Sequence, residues 1–249
     1  MARSIYLIRH GRTAYNAQNR FQGQVDIPLD EVGVWQADRT GEALRELLSH
    51  NQRIAPASGA TLPSDGTQFN PASSIVVVSS DLSRAAQTAH AFADPWGLEV
   101  HLDKRLRERA FGDWEGVPLA QAEHDFPEDF RLWRDGMGGE LRHGAESRES
   151  LGTRGMEAVN DWASRVDDDQ IVMFFSHGAC IAETIDHMLE PVGTTSGIAN
   201  FSTMRNDHWA ELIPFDRPGQ EQRWRLLFYN RGPAAAMLPS WDDPFGQNA

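Results

Sequence analysis

Residues 5–13 read Ile-Tyr-Leu-Ile-Arg-His-Gly-Arg-Thr, and the rest of the chain is organised around them. The apolar, β-rich run at residues 3–8 is typical of a short strand buried on both faces of a sheet. It ends in an arginine and a histidine, followed by Gly11, where the backbone can turn sharply and approach a ligand. Because open α/β sheets bind ligands at the carboxyl ends of their strands, residues 9–11 are candidates for an anion site. Taken alone, they fit an ordinary strand end equally well.

Three later segments place polar residues beside short apolar runs. The runs at 75–78 and 171–175 predict two further buried strands. The segments are Ser-Asp-Leu-Ser-Arg-Ala-Ala-Gln-Thr-Ala at 80–89, Leu-Arg-Glu at 106–108 with Gly-Asp-Trp-Glu-Gly at 112–116, and Phe-Ser-His-Gly at 175–178. Residues 79–81 are predicted to cap a helix that carries Arg84 in its first turn. A helix N-terminus and an arginine together make a good phosphate clamp.

These segments, with the pattern Arg-His-Gly-x-Thr-x-x-Asn at residues 9–16, resemble the motifs of the histidine phosphatase superfamily, also called the phosphoglycerate mutase-like family. Any one match alone is a weak signal, but four in the family's order, spanning residues 5–178, are a strong one. The resemblance implies an α/β fold, a three-layer α/β/α sandwich with a mostly parallel central sheet. It also implies an enzyme of the phosphatase branch that needs no metal and no cofactor.

The resemblance assigns roles to eight residues. It implies that His10 is the nucleophile and that Glu108 is the general acid and then the general base. The residues implied to bind the substrate are Arg9, Asn16, Gln22, Gly23, Arg84 and His177. After the second histidine, many family members carry a further glycine and an arginine, whereas this chain has Ala179, Cys180 and Ala182 there. That departure leaves the distal contacts of the substrate open.

Elementary chemistry accounts for these residue types. Arginine forks match phosphate oxygens in a bidentate way and neutralise the charge that spreads during phosphoryl transfer. Nearby cations disfavour the protonated form of an imidazole, which then attacks phosphorus to give a covalent phosphohistidine. A carboxyl group beside the phosphate is pushed toward its protonated form and can protonate the leaving alkoxide. As a carboxylate it can afterwards activate water.

Some of these residues have competing interpretations. Glu115 is the alternative carboxylate to Glu108, although the Trp-Glu-Gly around it is typical of a structural turn. Gln22 lies in the loop at 21–29, which fits a simple connection as well as a substrate contact. Cys180 is predicted to be a core residue and not a nucleophile. The histidines outside the motifs show no metal-ligand spacing.

Composition limits the class of protein. The chain has 249 residues, 40% of them hydrophobic, and a net charge of −13. That charge argues against a nucleic-acid partner, because phosphate contacts need a basic face, but it allows a small phosphomonoester that meets a few arginines. A single cysteine indicates a reducing compartment. With no signal-peptide pattern before the first strand and no apolar run of membrane-spanning length, we expect a cytoplasmic enzyme with no membrane partner.

Residues 1–230 are predicted to form one domain, with residues 231–249 as a loosely attached C-terminal tail. Within the domain, residues 50–73 have the composition of a flexible surface insertion, and residues 111–147 resemble a lid of two short helices that selects the substrate. Helices are predicted from a cap at Asp30 to about Ser49 and from a cap at Ser147 to about Val166. The last predicted strands are Ala199–Met204, Trp209–Ile213 and Trp224–Tyr229.

The leading interpretation is a metal-independent phosphomonoesterase that hydrolyses a small phosphorylated metabolite through a phosphohistidine intermediate. The alternative is a cofactor-dependent phosphoglycerate mutase, an isomerase, which usually carries a longer and more basic segment between its acid and its second histidine. Here Glu108 and His177 lie 69 positions apart, without a matching basic cluster. A degenerate, non-enzymatic binding protein would have lost a core residue, and none is lost. The physiological ester and the oligomeric state are left open.

Overall fold

The computed structural model describes residues 1–51, 69–189, 201–215 and 223–246. Within them, six strands form one sheet in the order β3-β2-β4-β1-β5-β6. The strands are β1 (Ser4–Arg9), β2 (Ile75–Ser79), β3 (Val100–Leu102), β4 (Ile171–Ser176), β5 (Trp209–Phe215) and β6 (Arg223–Arg231). The first four run parallel, β5 is antiparallel to β1, and β6 is antiparallel to β5. The predicted mostly parallel sheet is confirmed.

Helices cover both faces of this sheet. They are α1 (Ala14–Ala17), α2 (Glu31–Asn51), α3 (Pro71–Ser74), α4 (Ser83–Ala93), α5 (Leu119–Asp125), α6 (Pro127–Arg134), α7 (Arg148–Ser164) and α8 (Gly178–Leu189). Helices α2 and α4 bury their apolar side chains with Tyr6 and Ile8 on one face of β1. Helices α7 and α8 pack with Ile5 and Leu7 on the other face. Alternate residues of one strand thus enter two cores, which gives the predicted three-layer α/β/α sandwich.

The register of the central strands brings the site together. Arg9 at the end of β1 pairs with Ser176 at the end of β4, and Ser79 at the end of β2 pairs with Phe175. Because three parallel strands stop at the same level, the residues that follow them share one edge of the sheet. These three strands are almost fully buried, as their apolar sequences predict.

Several sequence predictions need correction. Residues 79–81 do not cap α4: Leu82 stands at the N-cap without a side-chain bond, and Asp26 of a distant loop accepts from the Ser83 N–H at 2.8 Å. Residues 201–204 of the predicted strand Ala199–Met204 are irregular, and its first two residues lie outside the described part of the chain. By contrast, the caps at Asp30 and Ser147 are confirmed by bonds of 2.8 Å from the Gly33 N–H and 3.0 Å from the Ser150 N–H.

The predicted insertion at 50–73 falls largely on residues 52–68, which lie outside the described residues; its last three residues begin α3. The predicted lid at 111–147 contains α5, α6 and a 3-10 helix at 139–143. An aromatic cluster built on Phe21, Trp114 and Phe130 joins these short helices to the loop that follows α1. The division of the chain into one domain and a tail stays a prediction.

The C-terminal residues are held more firmly than the sequence suggests. Trp241 is only 1% exposed, and its backbone carbonyl accepts a hydrogen bond of 2.9 Å from the Gln36 side chain in α2. A loose tail is therefore the wrong description of the segment around Trp241. Separately, none of the helices in the described ranges combines the length and the apolar character needed to cross a membrane.

Candidate active site

His10, the residue after β1, lies on the shared edge of the sheet with its ring buried. Its Nδ1 lies 2.7 Å from the Gly11 carbonyl oxygen. Since a carbonyl only accepts, Nδ1 must carry the proton, which leaves the lone pair on Nε2. Burial above all, and then the charges of Arg84 and Arg9, hold the pKa of His10 well below its usual value. The ring is therefore a neutral imidazole with a nucleophilic nitrogen.

His177, the residue after β4, is the second buried imidazole, with its ring centroid 5.0 Å from that of His10. Arg84 donates from Nε to His177 Nδ1 at 3.1 Å, so that nitrogen is an acceptor. His177 Nε2 then carries the proton and donates to Ser80 Oγ at 2.9 Å. Burial, followed by the charge of Arg84, holds the pKa of His177 well below its usual value. Both histidines are thus neutral, with opposite tautomers.

Arg84, in the first turn of α4 as predicted, is fully buried. It donates from Nη2 to the Gly23 carbonyl at 2.8 Å and from Nη1 to the Val25 carbonyl at 3.0 Å. Burial lowers its pKa to about 10, a change that the negative charge of Glu108 opposes, so the group is a cation at neutral pH. Three of its five N–H groups are occupied by protein, and the remaining two are available to an anion.

The loop that carries Gly23 is held by Glu115. Its carboxylate accepts from the backbone N–H groups of Gln24 at 2.9 Å, Val25 at 3.0 Å and Phe111 at 3.1 Å. A Cβ on Gly23 would collide with this carboxylate, so only glycine fits there. Glu115 thus has the structural role that its surrounding turn predicts, and Gly23 contacts Arg84 through its carbonyl.

Arg9 projects from the end of β1 with its guanidinium against the start of α8. It donates from Nη1 to the Met204 carbonyl, while its buried Nε has no hydrogen-bond partner in the protein. An unpaired buried donor on a cation is costly unless a ligand completes it. Burial lowers the pKa of Arg9, and the nearby negative charge of Glu108 opposes that change.

Glu108, 8% exposed, lies at the N-terminus of α8. Its Oε1 accepts from the N–H groups of Arg109 at 2.8 Å and Cys180 at 3.0 Å, and its Oε2 accepts from the Ala179 N–H at 3.1 Å. Three backbone donors fix the orientation of the carboxylate, as helix N-termini do for anions. The Cys180 side chain is buried and its pKa is raised to about 11 by burial, so it is a core thiol.

Two arginines hold the backbone around Glu108. Arg154 of α7 donates to the carbonyls of Arg107 at 2.7 Å and Glu108 at 3.0 Å, and it pairs with Glu146 at 2.8 Å. Arg109 pairs with Glu140 of the lid at 2.6 Å, and these two side chains are only 2% and 1% exposed. The loop that carries Glu108 is therefore tied both to α7 and to the lid.

Asn16 and Gln22 lie beside residues 10–13, here called the His10 loop, and both contact Thr13. Asn16 Oδ1 accepts from the Thr13 N–H at 3.2 Å, completing the cap of α1. Thr13 Oγ1 donates to Gln22 Oε1 at 2.7 Å, and the buried Nε2 of Gln22 has no protein partner. That unpaired amide is available to a ligand oxygen, whereas the Asn16 side chain is already bonded to the Thr13 backbone.

Asn206 is not among the residues predicted from the sequence. Its Nδ2 lies 3.0 Å from the His10 carbonyl, 3.2 Å from the Gly11 carbonyl and 3.2 Å from Asn16 Oδ1, so it braces the turn after β1. The contact between Ser80 and His177 was not predicted either. Both are polar residues in irregular segments. Each contacts residues far away in the chain, so its role is visible only in the folded structure.

Asp207, the next residue, is the unusual group of the site. It is fully buried in left-handed backbone at φ 56°, and neither carboxyl oxygen has a hydrogen-bond partner. Burial raises its pKa well above the usual value, although the charge of Arg9 opposes the change. A Cβ on Gly11 would meet its Oδ2 at 2.5 Å, so the His10 loop rests directly on this carboxyl group.

Two neutral imidazoles, two guanidinium groups and one carboxylate thus surround a single position. With the unpaired donors of Arg9 and Gln22, the arrangement suits a phosphoryl group attacked by His10 Nε2. The structure brings the eight residues predicted from sequence to the same side of the sheet, where Asn16 and Gly23 bond mainly to protein, and their roles stay predictions. No group of three His, Cys, Asp or Glu side chains that could hold a metal occurs in the described ranges.

Comparison with known proteins identifies the family of this chain. The family model of the histidine phosphatase superfamily (branch 1) matches residues 5–56 and 66–210. A glucosyl-3-phosphoglycerate phosphatase of Mycobacterium tuberculosis (strain ATCC 25618 / H37Rv) is 32% identical over 240 residues, covering 92% of this chain and 95% of that protein. A probable phosphoglycerate mutase GpmB of Yersinia pestis (strain Pestoides F) is 33% identical over 189 residues, covering 73% and 74%.

Among solved structures, a mycobacterial glucosyl-3-phosphoglycerate phosphatase with VO3 is similar to this chain with a TM-score of 0.71 and 31% identity. The alignment covers 92% of this chain and 100% of that one. The likeness therefore extends over nearly the whole fold and is not confined to the motifs.

Proposed function

The chain belongs to the histidine phosphatase superfamily, and on that premise we propose that it is a phosphomonoesterase working through a phosphohistidine at His10. The observation that carries this proposal is the neutral His10 ring, whose Nδ1 is tied to the Gly11 carbonyl so that Nε2 is the nucleophile. The substrate is a small phosphorylated metabolite, and no metal takes part in the reaction.

Substrate binding is assigned to the two arginines. Arg9 Nε and the two free N–H groups of Arg84 would donate to non-bridging oxygens of the phosphoryl group, with Gln22 Nε2 as a further neutral donor. Arg84 is fully buried and so is the Nε of Arg9, which strengthens these charge-assisted bonds. The Nε2–H of His177 is held by Ser80, so His177 acts chiefly by orienting Arg84 until a ligand rearranges that bond.

The first chemical step transfers the phosphoryl group. His10 Nε2 attacks phosphorus, the N–P bond forms, and the ester P–O bond breaks with its electron pair leaving on the alkoxide oxygen. Glu108 acts as the general acid and supplies the proton to that oxygen. The products are a free alcohol and phosphohistidine.

The second step returns the enzyme to its starting state. Glu108, now a carboxylate, takes a proton from a water molecule as that water attacks phosphorus. The N–P bond breaks, its electron pair returns to His10 Nε2, and orthophosphate leaves. The backbone donors on Glu108 keep it aimed at the same position in both steps.

The phosphatase interpretation is preferred to the mutase alternative for two reasons. The glucosyl-3-phosphoglycerate phosphatases are aligned over 92% of this chain, whereas the probable mutase is aligned over 73%. The chain between Glu108 and His177 is also short for a mutase. By analogy with the relatives, we propose a sugar-linked or free phosphoglycerate as the first substrate class to test, and a cytoplasmic location.

The test is phosphate release from a panel of phosphomonoesters in the presence of a chelator, with a 3-phosphoglycerate isomerisation assay beside it. The panel contains glucosyl-3-phosphoglycerate, 3-phosphoglycerate, phosphoserine and sugar phosphates, and His10→Ala is the control. Chelator-resistant release without isomerisation, lost in His10→Ala, is the expected result. Isomerisation that depends on a bisphosphate primer would overturn the proposal in favour of the mutase.

A further inference from the structure

Residues 233–246, here called the C-terminal segment, lie past residue 210, where the family model stops matching. The C-terminal segment contains two short 3-10 helices, at Ala234–Met237 and Pro239–Trp241. Although two of its apolar side chains, Met237 and Leu238, are 86% and 58% exposed, Trp241 is 1% exposed. Trp241 is therefore the largest buried side chain of the segment and is here called its anchor.

The anchor lies against elements that carry the candidate active site. The Trp241 ring packs with its centroid 5.3 Å from that of Trp35 in α2 and 6.2 Å from that of His208, which follows Asn206 and Asp207. Arg205, next to Asn206, also pairs with Asp242 at 3.3 Å. The C-terminal segment thus contacts both α2 and residues 205–208, and the latter include Asn206, which braces the turn after β1.

Gln36 of α2 links the anchor to that turn. This fully buried amide donates from Nε2 to the Trp241 carbonyl at 2.9 Å, and its Oε1 accepts from the Arg12 N–H at 3.0 Å. A carbonyl must face the amide nitrogen and an N–H must face the amide oxygen, so the two partners together allow only one orientation. Arg12 is two residues from His10.

Arg12 makes a second connection through its side chain. Its Nη1 donates to the Asp242 carbonyl at 2.9 Å, and its Nε donates to Asp30 at 2.9 Å. The backbone and the side chain of Arg12 are therefore both held by consecutive carbonyls of the C-terminal segment, one directly and one through Gln36.

We infer that the C-terminal segment is a positioning element for the His10 loop, acting through Trp241, Gln36 and Arg12. The inference rests on the proposed function, because its readout is phosphoryl transfer. The His10 loop has no regular secondary structure of its own between β1 and α1, so its position depends on such external hydrogen bonds. A nucleophile must lie close to in-line attack geometry, and displacements of about 1 Å lower rates by about 10²-fold.

Four full-length variants test this. Trp241→Ala removes the anchor and Trp241→Phe keeps an aromatic ring in it, which serves as the conservative rescue. Gln36→Glu keeps the acceptor for Arg12 but replaces the amide donor with an oxygen that faces the Trp241 carbonyl. Leu238→Ala, at an exposed position of the same segment, is the matched control.

The measurements are kcat, KM, the melting temperature, and inhibition by orthovanadate and by inorganic phosphate. Orthovanadate adopts the five-coordinate geometry of the transition state and phosphate only that of the product. We expect kcat in Trp241→Ala and Gln36→Glu to fall at least about tenfold, with KM changed less than about threefold. Orthovanadate affinity should fall in parallel with kcat while phosphate affinity is kept, and Trp241→Phe and Leu238→Ala should resemble the wild type.

A purely structural segment gives a different result. The folded fraction of Trp241→Ala and Gln36→Glu, assayed well below the melting temperature, would then keep the wild-type kcat and the wild-type ratio of vanadate to phosphate affinity, and only the melting temperature would fall. That result overturns the inference. Failure of the proposed function is distinguishable, since the wild type itself would then release no phosphate from any ester.

Discussion

Arg84 joins three parts of the candidate site through one guanidinium group. It donates to His177, which fixes the tautomer of that ring, and to the carbonyls of Gly23 and Val25, which fix the loop after α1. The remaining two N–H groups are available to an anion. A single planar fork with five donors is needed for this, and an ammonium group has neither the shape nor the number of donors.

Arg84→Lys should therefore lower kcat/KM by about 10²-fold to 10³-fold although the charge is kept, a loss comparable to that of one donor that stabilises transition-state charge. The measurement is steady-state kinetics on the best ester of the panel. Arg165→Lys, at an exposed pair with Asp161, is the control and should be unchanged. A loss smaller than about threefold in Arg84→Lys would mean that charge alone is sufficient.

The buried Asp207 should make the stability of the protein depend on pH. Its folded-state pKa is raised well above 3.8, so the folded protein keeps this proton at pH values where the unfolded chain has lost it. The free energy of unfolding therefore decreases as pH rises from about 3.8 toward the raised pKa. An asparagine side chain at this position would not titrate, so Asp207→Asn should gain melting temperature relative to the wild type at pH 8 and less at pH 5.

Thermal unfolding at the two pH values, with Asp168→Asn on the surface as a control, measures this difference. If Asp207→Asn were instead less stable than the wild type at pH 8, Asp207 would be ionised and would serve as the counter-ion of Arg9.

At the residue scale, the sequence revealed those side chains whose chemistry is local. Arg9, His10, Arg84 and His177 stand at strand ends or a helix start, where pattern and resemblance agree, whereas Glu108 lies in a loop and was identified by the resemblance. The residues that hold these side chains in place were not predicted, because Asn206 and Gln36 bond to segments far away in the chain. No periodicity or motif predicts which distant carbonyl a side-chain amide will reach.

At the scale of elements, the loop that carries Glu108 depends on the buried Arg109–Glu140 pair between that loop and the lid. Breaking such a pair leaves an unpaired buried charge, which costs about 3–5 kcal/mol. Glu140→Ala should therefore lower the free energy of unfolding by about that amount. It should also lower kcat, because the Arg109 N–H helps to orient Glu108.

Urea unfolding measures the stability change, and Glu123→Ala on an exposed turn of α5 is the matched control. Equal stability of the two variants would show that the Arg109–Glu140 pair contributes nothing net. A stability loss with kcat unchanged would separate the lid from the orientation of Glu108.

Strands and long helices were predictable because burial on both faces, or an apolar stripe with a cap, leaves a clear sequence pattern. The start of α4 was predicted wrongly at its cap because the capping carboxylate, Asp26, comes from another loop. The attachment of the C-terminal segment was missed because it depends on one buried tryptophan and on backbone carbonyls, which carry no sequence pattern.

At the scale of the whole molecule, a chain with a net charge of −13 presents a buried cationic site to an anionic substrate. The sheet makes this possible by ending β1, β2 and β4 at one level, so that few charges act together in a poorly hydrated space. The three-layer architecture was predictable since motif order and strand composition agree on one topology. The chemistry of the distal substrate group was not, because it depends on the lid and on positions where this chain departs from its family.

The most direct test of the account is to trap the covalent intermediate. The wild type and His10→Gln are mixed with a substrate labelled on its phosphoryl group, quenched within one turnover, and compared for protein-bound label in acid and in alkali. We expect label on the wild type alone, stable to alkali and lost in acid, with the modified peptide containing residue 10. Equal labelling of His10→Gln, or an acid-stable phosphoester on a serine, would contradict it.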